Sequence, residues 1–191
     1  MDGKELIKNH TDDLVQLICT TSLWASKDIV NKLFAENNNK TASWYLNTRR
    51  YIKGNNEVRR TFLNDVYLDD NVCANVAIKK ALGFQTNEIK NFNTCHIYDL
   101  STYNVKYHAS IPNLILVPNS IYALTDNSEE CKNFLKYISF KLYGFYIGQP
   151  PEKPNNWNDE VIEKIYKIPE SRIYKAIQSV DRRNPLKTKK T

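Results

Sequence analysis

Apolar positions recur with helical spacing in several parts of the chain. Leu14, Leu17 and Ile18 share one face of residues 12–20, and Ile29, Val30, Leu33 and Phe34 do the same over 27–36. A further helix is predicted after Asn71, which suits an N-cap; Ala74, Ala77, Ile78, Ala81 and Leu82 form its stripe, and Gly83 closes it. The pattern is clearest over 128–143. Ser128 suits the cap, Glu129 and Glu130 complement the positive end of the helix dipole, Phe134, Leu135, Ile138 and Leu142 line one face, and Gly144 follows.

The middle of the chain follows another pattern. The segments 92–98 (FNTCHIY) and 113–118 (NLILVP) read as short strands around a polar, tyrosine-rich loop, with the strong helix soon after. Past Gly148 the run QPPEKPNNW reads as a linker. Two short amphipathic helices are expected beyond it, one carrying Val161, Ile162 and Ile165, the other Ile173, Ile177 and Val180. Their pattern leaves open whether they pack back on the core or form a subdomain. Three regions result: a helical stretch over 1–90 with room for nucleic-acid contacts, a strand–loop–strand–helix core over 91–146, and a linker with short helices and a basic tail over 147–191.

Composition narrows the class. A chain of 191 residues, 41% of them hydrophobic, can bury a core without staples. No apolar run reaches membrane-spanning length, and MDGKELIKNH has no apolar stretch of the kind a secretory signal carries. The expectation is a soluble cytoplasmic protein with no membrane partner. Cys19, Cys73, Cys95 and Cys131 are widely spaced without a Cys-x-x-Cys pair, which argues against a zinc ribbon and against a disulfide framework.

Charge adds a partner. Of the net +6, about five units sit in the last ten residues, RRNPLKTKKT. A second cluster comprises Arg49, Arg50, Lys53, Arg59 and Arg60, and Lys106 lies among the loop tyrosines Tyr98, Tyr103 and Tyr107. Such patches suit phosphates, and aromatic rings suit bases. A solvated helix face and a frayed tail explain the same charges without a ligand. Arg49, Arg50, Arg59, Arg60 and Lys106 are the candidate nucleic-acid contacts.

The candidate chemistry lies around the loop. His96 and His108 are two of three histidines, and a neutral imidazole can take a proton from water. Asn113, opening the second strand, can orient such a ring. His108, Asp99 and Asp126 are within reach by sequence as ligands for a divalent metal, which would polarise a phosphate. Each residue also has a structural explanation: a strand histidine, a loop histidine bonded to backbone, and aspartates that cap turns.

Cys95-His96-Ile97, Asn113-Leu114-Ile115-Leu116 and Leu124-Thr125-Asp126 together resemble the HNH, or ββα-metal, endonuclease motif over about residues 91–126. The resemblance implies an α+β fold: a small HNH-like ββα core within a largely helical chain. It implies His96 as general base, Asn113 as the residue holding the loop or the base, and magnesium or manganese rather than zinc. Two positions depart from the motif. Cys95 stands where an aspartate ligand is common, and Tyr122 stands where a metal-binding histidine is usual; neither suits a hard cation. The expected function is a metal-dependent, restriction-type endonuclease acting on DNA, dimeric if its site is palindromic. The alternative is an HNH fold kept for binding nucleic acid or a partner without hydrolysis.

Overall fold

The computed structural model describes residues 10–49, 61–63 and 66–182. About 48% of the described residues are helical, the 3₁₀ turns included, and the strands are short, a mixed α/β architecture compatible with the α+β class. The elements run α1 (Thr11–Thr21), α2 (Lys27–Glu36), β1 (Asn47–Arg49), β2 (Thr61–Leu63), β3 (Val66–Asp69), α3 (Val72–Ala81), β4 (Phe92–His96), β5 (Leu114–Pro118), α4 (Tyr122–Asn127), α5 (Glu129–Tyr143), α6 (Glu160–Lys164) and α7 (Glu170–Asp181). Single 3₁₀ turns at Asp99–Tyr103 and Ile111–Asn113 interrupt the loop between β4 and β5.

The helix ends follow the local chemistry. Ser128 accepts a hydrogen bond from the Cys131 amide at 3.2 Å, and Gly144 closes α5 in the left-handed region at φ 67°. Gly83 closes α3 in the same way at φ 72°. Asn71 occupies the N-cap position of α3 without a side-chain cap bond. On α1 the buried residues are Val15, Ile18 and Cys19, while Leu17 is 41% exposed. Apolar spacing alone assigns Leu17 to the inner face; tertiary packing turns the helix so that it points out.

The antiparallel hairpin β4–β5 divides the interior. Directly opposed residues share a face, so Thr94, His96, Leu114 and Leu116 look one way and Cys95, Ile115 and Val117 the other. The first face meets a cluster built from Ile29, Val30 and Leu33 of α2, Ala77 and Ile78 of α3, and Ala176 and Val180 of α7. The second meets Ile18 of α1, Phe134, Leu135 and Ile138 of α5, and Trp157 and Ile165. Coverage of both faces explains why β5 is a continuous apolar run rather than an alternating one. Leu23 extends the hairpin sideways, exchanging backbone bonds with Leu116 at 2.9 and 3.2 Å.

Two features are not legible in sequence. The region 1–90 holds a three-stranded sheet in the order β1-β3-β2, with β1 parallel and β2 antiparallel to β3. The last helices pack back on the core. Trp157 anchors them: it is buried, its indole N–H donates to Asp159 at 2.9 Å, and its ring meets Tyr137 edge-on at 4.6 Å. Among the described residues no helix is long and apolar enough to cross a membrane.

Candidate functional site

The hairpin sets His96 at the end of β4, opposite Leu114, where the chain leaves the sheet. Asn113 holds the loop that follows. It is fully buried; its Oδ1 accepts from the Tyr98 amide at 3.0 Å, and its Nδ2 donates to Ser101 Oγ at 2.7 Å and to the Tyr107 carbonyl at 3.1 Å. Ser101 in turn donates to the Tyr98 carbonyl. Three of the four bonds a buried amide side chain can make are thus spent on loop residues. Of the two roles open to Asn113 in the sequence, the structure shows it bonded to the loop and not to the histidine ring.

The N-terminal half braces the same loop from outside. Thr48 Oγ1 donates to the Thr102 carbonyl at 3.0 Å, Thr41 Oγ1 to the Lys106 carbonyl at 2.8 Å, and the Ile111 amide to the Ala42 carbonyl at 2.8 Å. These bonds carry β1, and with it Arg49, to the 3₁₀ turn after His96.

His96 is half-buried, and its Nε2 lies 3.0 Å from the His108 carbonyl oxygen. A carbonyl only accepts, so Nε2 carries the proton and Nδ1 is left as the acceptor. The His108 ring stacks on His96 with centroids 4.9 Å apart and planes 14° from parallel. Burial, with His108 and Arg49 nearby, lowers the His96 pKa to about 4; the bond to the His108 carbonyl and the Asp99 carboxylate pull weakly the other way. The ring is neutral at physiological pH. An exposed arginine, Arg49, stands within electrostatic range of it.

Among the described residues the candidate metal ligands are not assembled. His108 is fully buried with its ring face against His96. Asp99 Oδ2 is 2.6 Å from Lys132 Nζ on α5, an ion pair with no local sign in the sequence, since 33 residues separate the partners. Asp126 lies on α4, with its side chain outside the described residues. Strand alternation turns Cys95 away from His96. Its buried thiol meets Thr125 Oγ1 at 3.4 Å, and that hydroxyl donates to the Tyr122 carbonyl at 2.7 Å. Among the described residues no three His, Cys, Asp or Glu side chains gather in a group that could hold a metal ion. Magnesium and manganese favour several oxygen donors in one place. With Asp99 held by Lys132 and a thiol in the strand position, the described residues do not fit a preformed site for either ion. The expected set of His108, Asp99 and Asp126 is therefore not brought together by them.

Of the candidate nucleic-acid contacts, Arg49 is exposed and within electrostatic range of His96, and Lys106 is exposed with its Nζ 5.1 Å from the Tyr107 ring centroid. Arg50, Arg59 and Arg60 lie outside the described residues. Tyr98 and Tyr107 meet Phe145 edge-on at 5.9 and 6.1 Å, so these rings pin the loop to the segment after α5. Tyr103 is 46% exposed and keeps a surface on which a base can stack. Sequence spacing names both Arg49 and His96, but nothing in it links residues 47 positions apart.

Comparison of the chain with protein-family models, with curated proteins and with solved structures finds no match.

Proposed function

We propose that the chain is an HNH-like endonuclease that acts on nucleic-acid phosphodiesters, with His96 as general base and Arg49 as a phosphate-binding cation. The observation that carries this reading is the commitment of His96 Nε2 to the His108 carbonyl, which leaves a neutral Nδ1 as acceptor at the end of β4, where the loop braced by Asn113 begins. A pKa of about 4 makes the free ring a weak base. An arriving phosphate brings negative charge next to the ring, which favours the imidazolium and moves the pKa back toward the working range. Arg49 supplies the positive charge that holds the phosphate oxygens. His96 then takes a proton from water, the hydroxide adds to phosphorus, the bond to the leaving oxygen breaks, and that oxygen is protonated from solvent. Duplex DNA is the proposed substrate, and a palindromic site would be met by two copies of the chain.

A second reading has its own support. Asp99 is engaged by Lys132 and Cys95 by Thr125, so two positions that would serve a metal are occupied by other bonds. On that reading the fold binds nucleic acid without cutting it. The test is a cleavage assay on plasmid and single-stranded DNA with magnesium, manganese, zinc or chelator, run with the wild type and His96→Ala beside an anisotropy measurement of binding. Cutting that is lost in His96→Ala while binding persists supports the nuclease. Binding without cutting under every metal condition transfers the conclusion to the second reading, and a folded protein that does neither overturns both.

A further inference from the structure

Away from His96, α3 and α7 enclose a groove of about 410 Å³ lined by Lys80, Lys175, Gln178, Ser179 and Arg182. The last four fall at i, i+3, i+4 and i+7 along α7 and its C-cap, so they form one polar stripe. Among the described residues no carboxylate lines the groove. The acids nearest in the chain or in the field are taken up elsewhere: Asp181 pairs with Lys32 of α2 at 2.6 Å, and Glu88, which feels Lys175, is bonded to Arg172 at 2.9 Å. Lys80 is set in place from behind, with its Nζ 5.8 Å from the ring centroids of both Trp44 and Tyr45.

The groove is rigidly built. The carbonyl oxygen of Arg172 lies so close to Gly83 that a Cβ there would overlap it. The Arg172 guanidinium donates to the Gly83 carbonyl at 3.1 Å and lies over the Phe84 ring at 4.4 Å. These contacts fix α7 against the end of α3. The backbone that carries the stripe is thereby set, while the exposed Lys175 and Arg182 side chains are ordered by whatever they bind.

We infer that the α3/α7 groove, through Lys175 and Arg182, is a second contact for the phosphate backbone of duplex DNA, separate from the His96 corner. A stripe from position i to i+7 spans about 10 Å of helix. Phosphates of one strand rise by about 3.4 Å each along the duplex axis, so a stripe about 10 Å long matches a short run of backbone better than a single small anion. Gln178 and Ser179 between the cations add neutral donors of the kind that position a backbone without reading sequence. The choice of DNA as the polyanion rests on the proposed function; the charge of the groove does not.

The salt dependence of binding tests this. A short labelled duplex is titrated by anisotropy between about 50 and 200 mM salt with wild type, Lys175→Gln/Arg182→Gln, the conservative Lys175→Arg/Arg182→Lys, and His96→Ala. Lys175 and Arg182 are exposed, so the neutral variant is expected to melt with the wild type. The expected result is a log–log salt slope smaller by about 2 in the neutral pair and unchanged in the conservative pair and in His96→Ala. An unchanged slope in the neutral pair, or no duplex binding by the wild type, overturns the groove whatever cleavage shows. Loss of binding to phosphatidylserine vesicles with duplex binding intact also overturns it, in favour of a lipid surface. Cleavage that persists in His96→Ala overturns His96 as the general base and leaves the outcome for the groove standing.

Discussion

At the scale of single residues, His96 couples folding to pH. Its folded-state pKa of about 4 lies below the ordinary 6.5, so as pH falls the unfolded chain takes up the proton first. The stability this group contributes is complete above about 6.5 and is lost progressively toward about 4, a total of roughly 3 kcal/mol. Denaturant melts at about pH 7 and about pH 5 are therefore expected to differ more for wild type than for His96→Gln; an equal difference would show that the ring is not held neutral. Asn113→Ala strips partners from the Tyr98 amide, Ser101 and the Tyr107 carbonyl at once. A cost of about 2 to 4 kcal/mol in a urea melt is expected, with His96 losing its fixed orientation in a histidine NMR titration. Cys19, whose thiol burial pushes up to about 12, is expected to resist alkylation in the native state and to react in denaturant.

At the scale of elements, most boundaries are written locally. A single capping serine, a left-handed glycine and a stripe of Phe134, Leu135 and Ile138 suffice to define α5, because helix ends are governed by bonds within a few residues. Gly83 belongs to two levels at once. Its φ of 72° ends α3, and its missing Cβ admits the backbone of α7. Gly83→Ala adds left-handed strain to a steric overlap with the Arg172 carbonyl, and a loss of about 2 to 4 kcal/mol in thermal or urea unfolding is expected. A loss under about 1 kcal/mol would mean that α7 moves away easily, and the groove would not be rigid. The small strands β1, β2 and β3 have no comparable signal. Each has three or four residues, too short for a period-2 pattern to emerge, and their identity depends on partners distant in sequence.

At the scale of the whole molecule, the segment after the proline-rich run is part of the core. Ile168, Ala176 and Val180 join the cluster of α2 and α3, and Trp157 and Ile165 join that of α1 and α5. Truncation after Gly148 is expected to abolish the cooperative unfolding transition, as followed by circular dichroism and hydrogen exchange, because both faces of the hairpin lose cover. A cooperative melt in the truncated chain would mark the last two helices as an addition. The sequence by itself determined the described helices other than α4, and the strand–loop–strand order, since propensity, caps and apolar spacing act over a few residues. Only the tertiary structure decided that Asn113 braces the loop rather than the ring, that Asp99 is engaged by Lys132, that Cys95 and His96 diverge, and that Arg49 stands near the histidine. Each of those depends on where elements dozens of residues apart come to rest, and burial, charge proximity and donor geometry do not exist before they do.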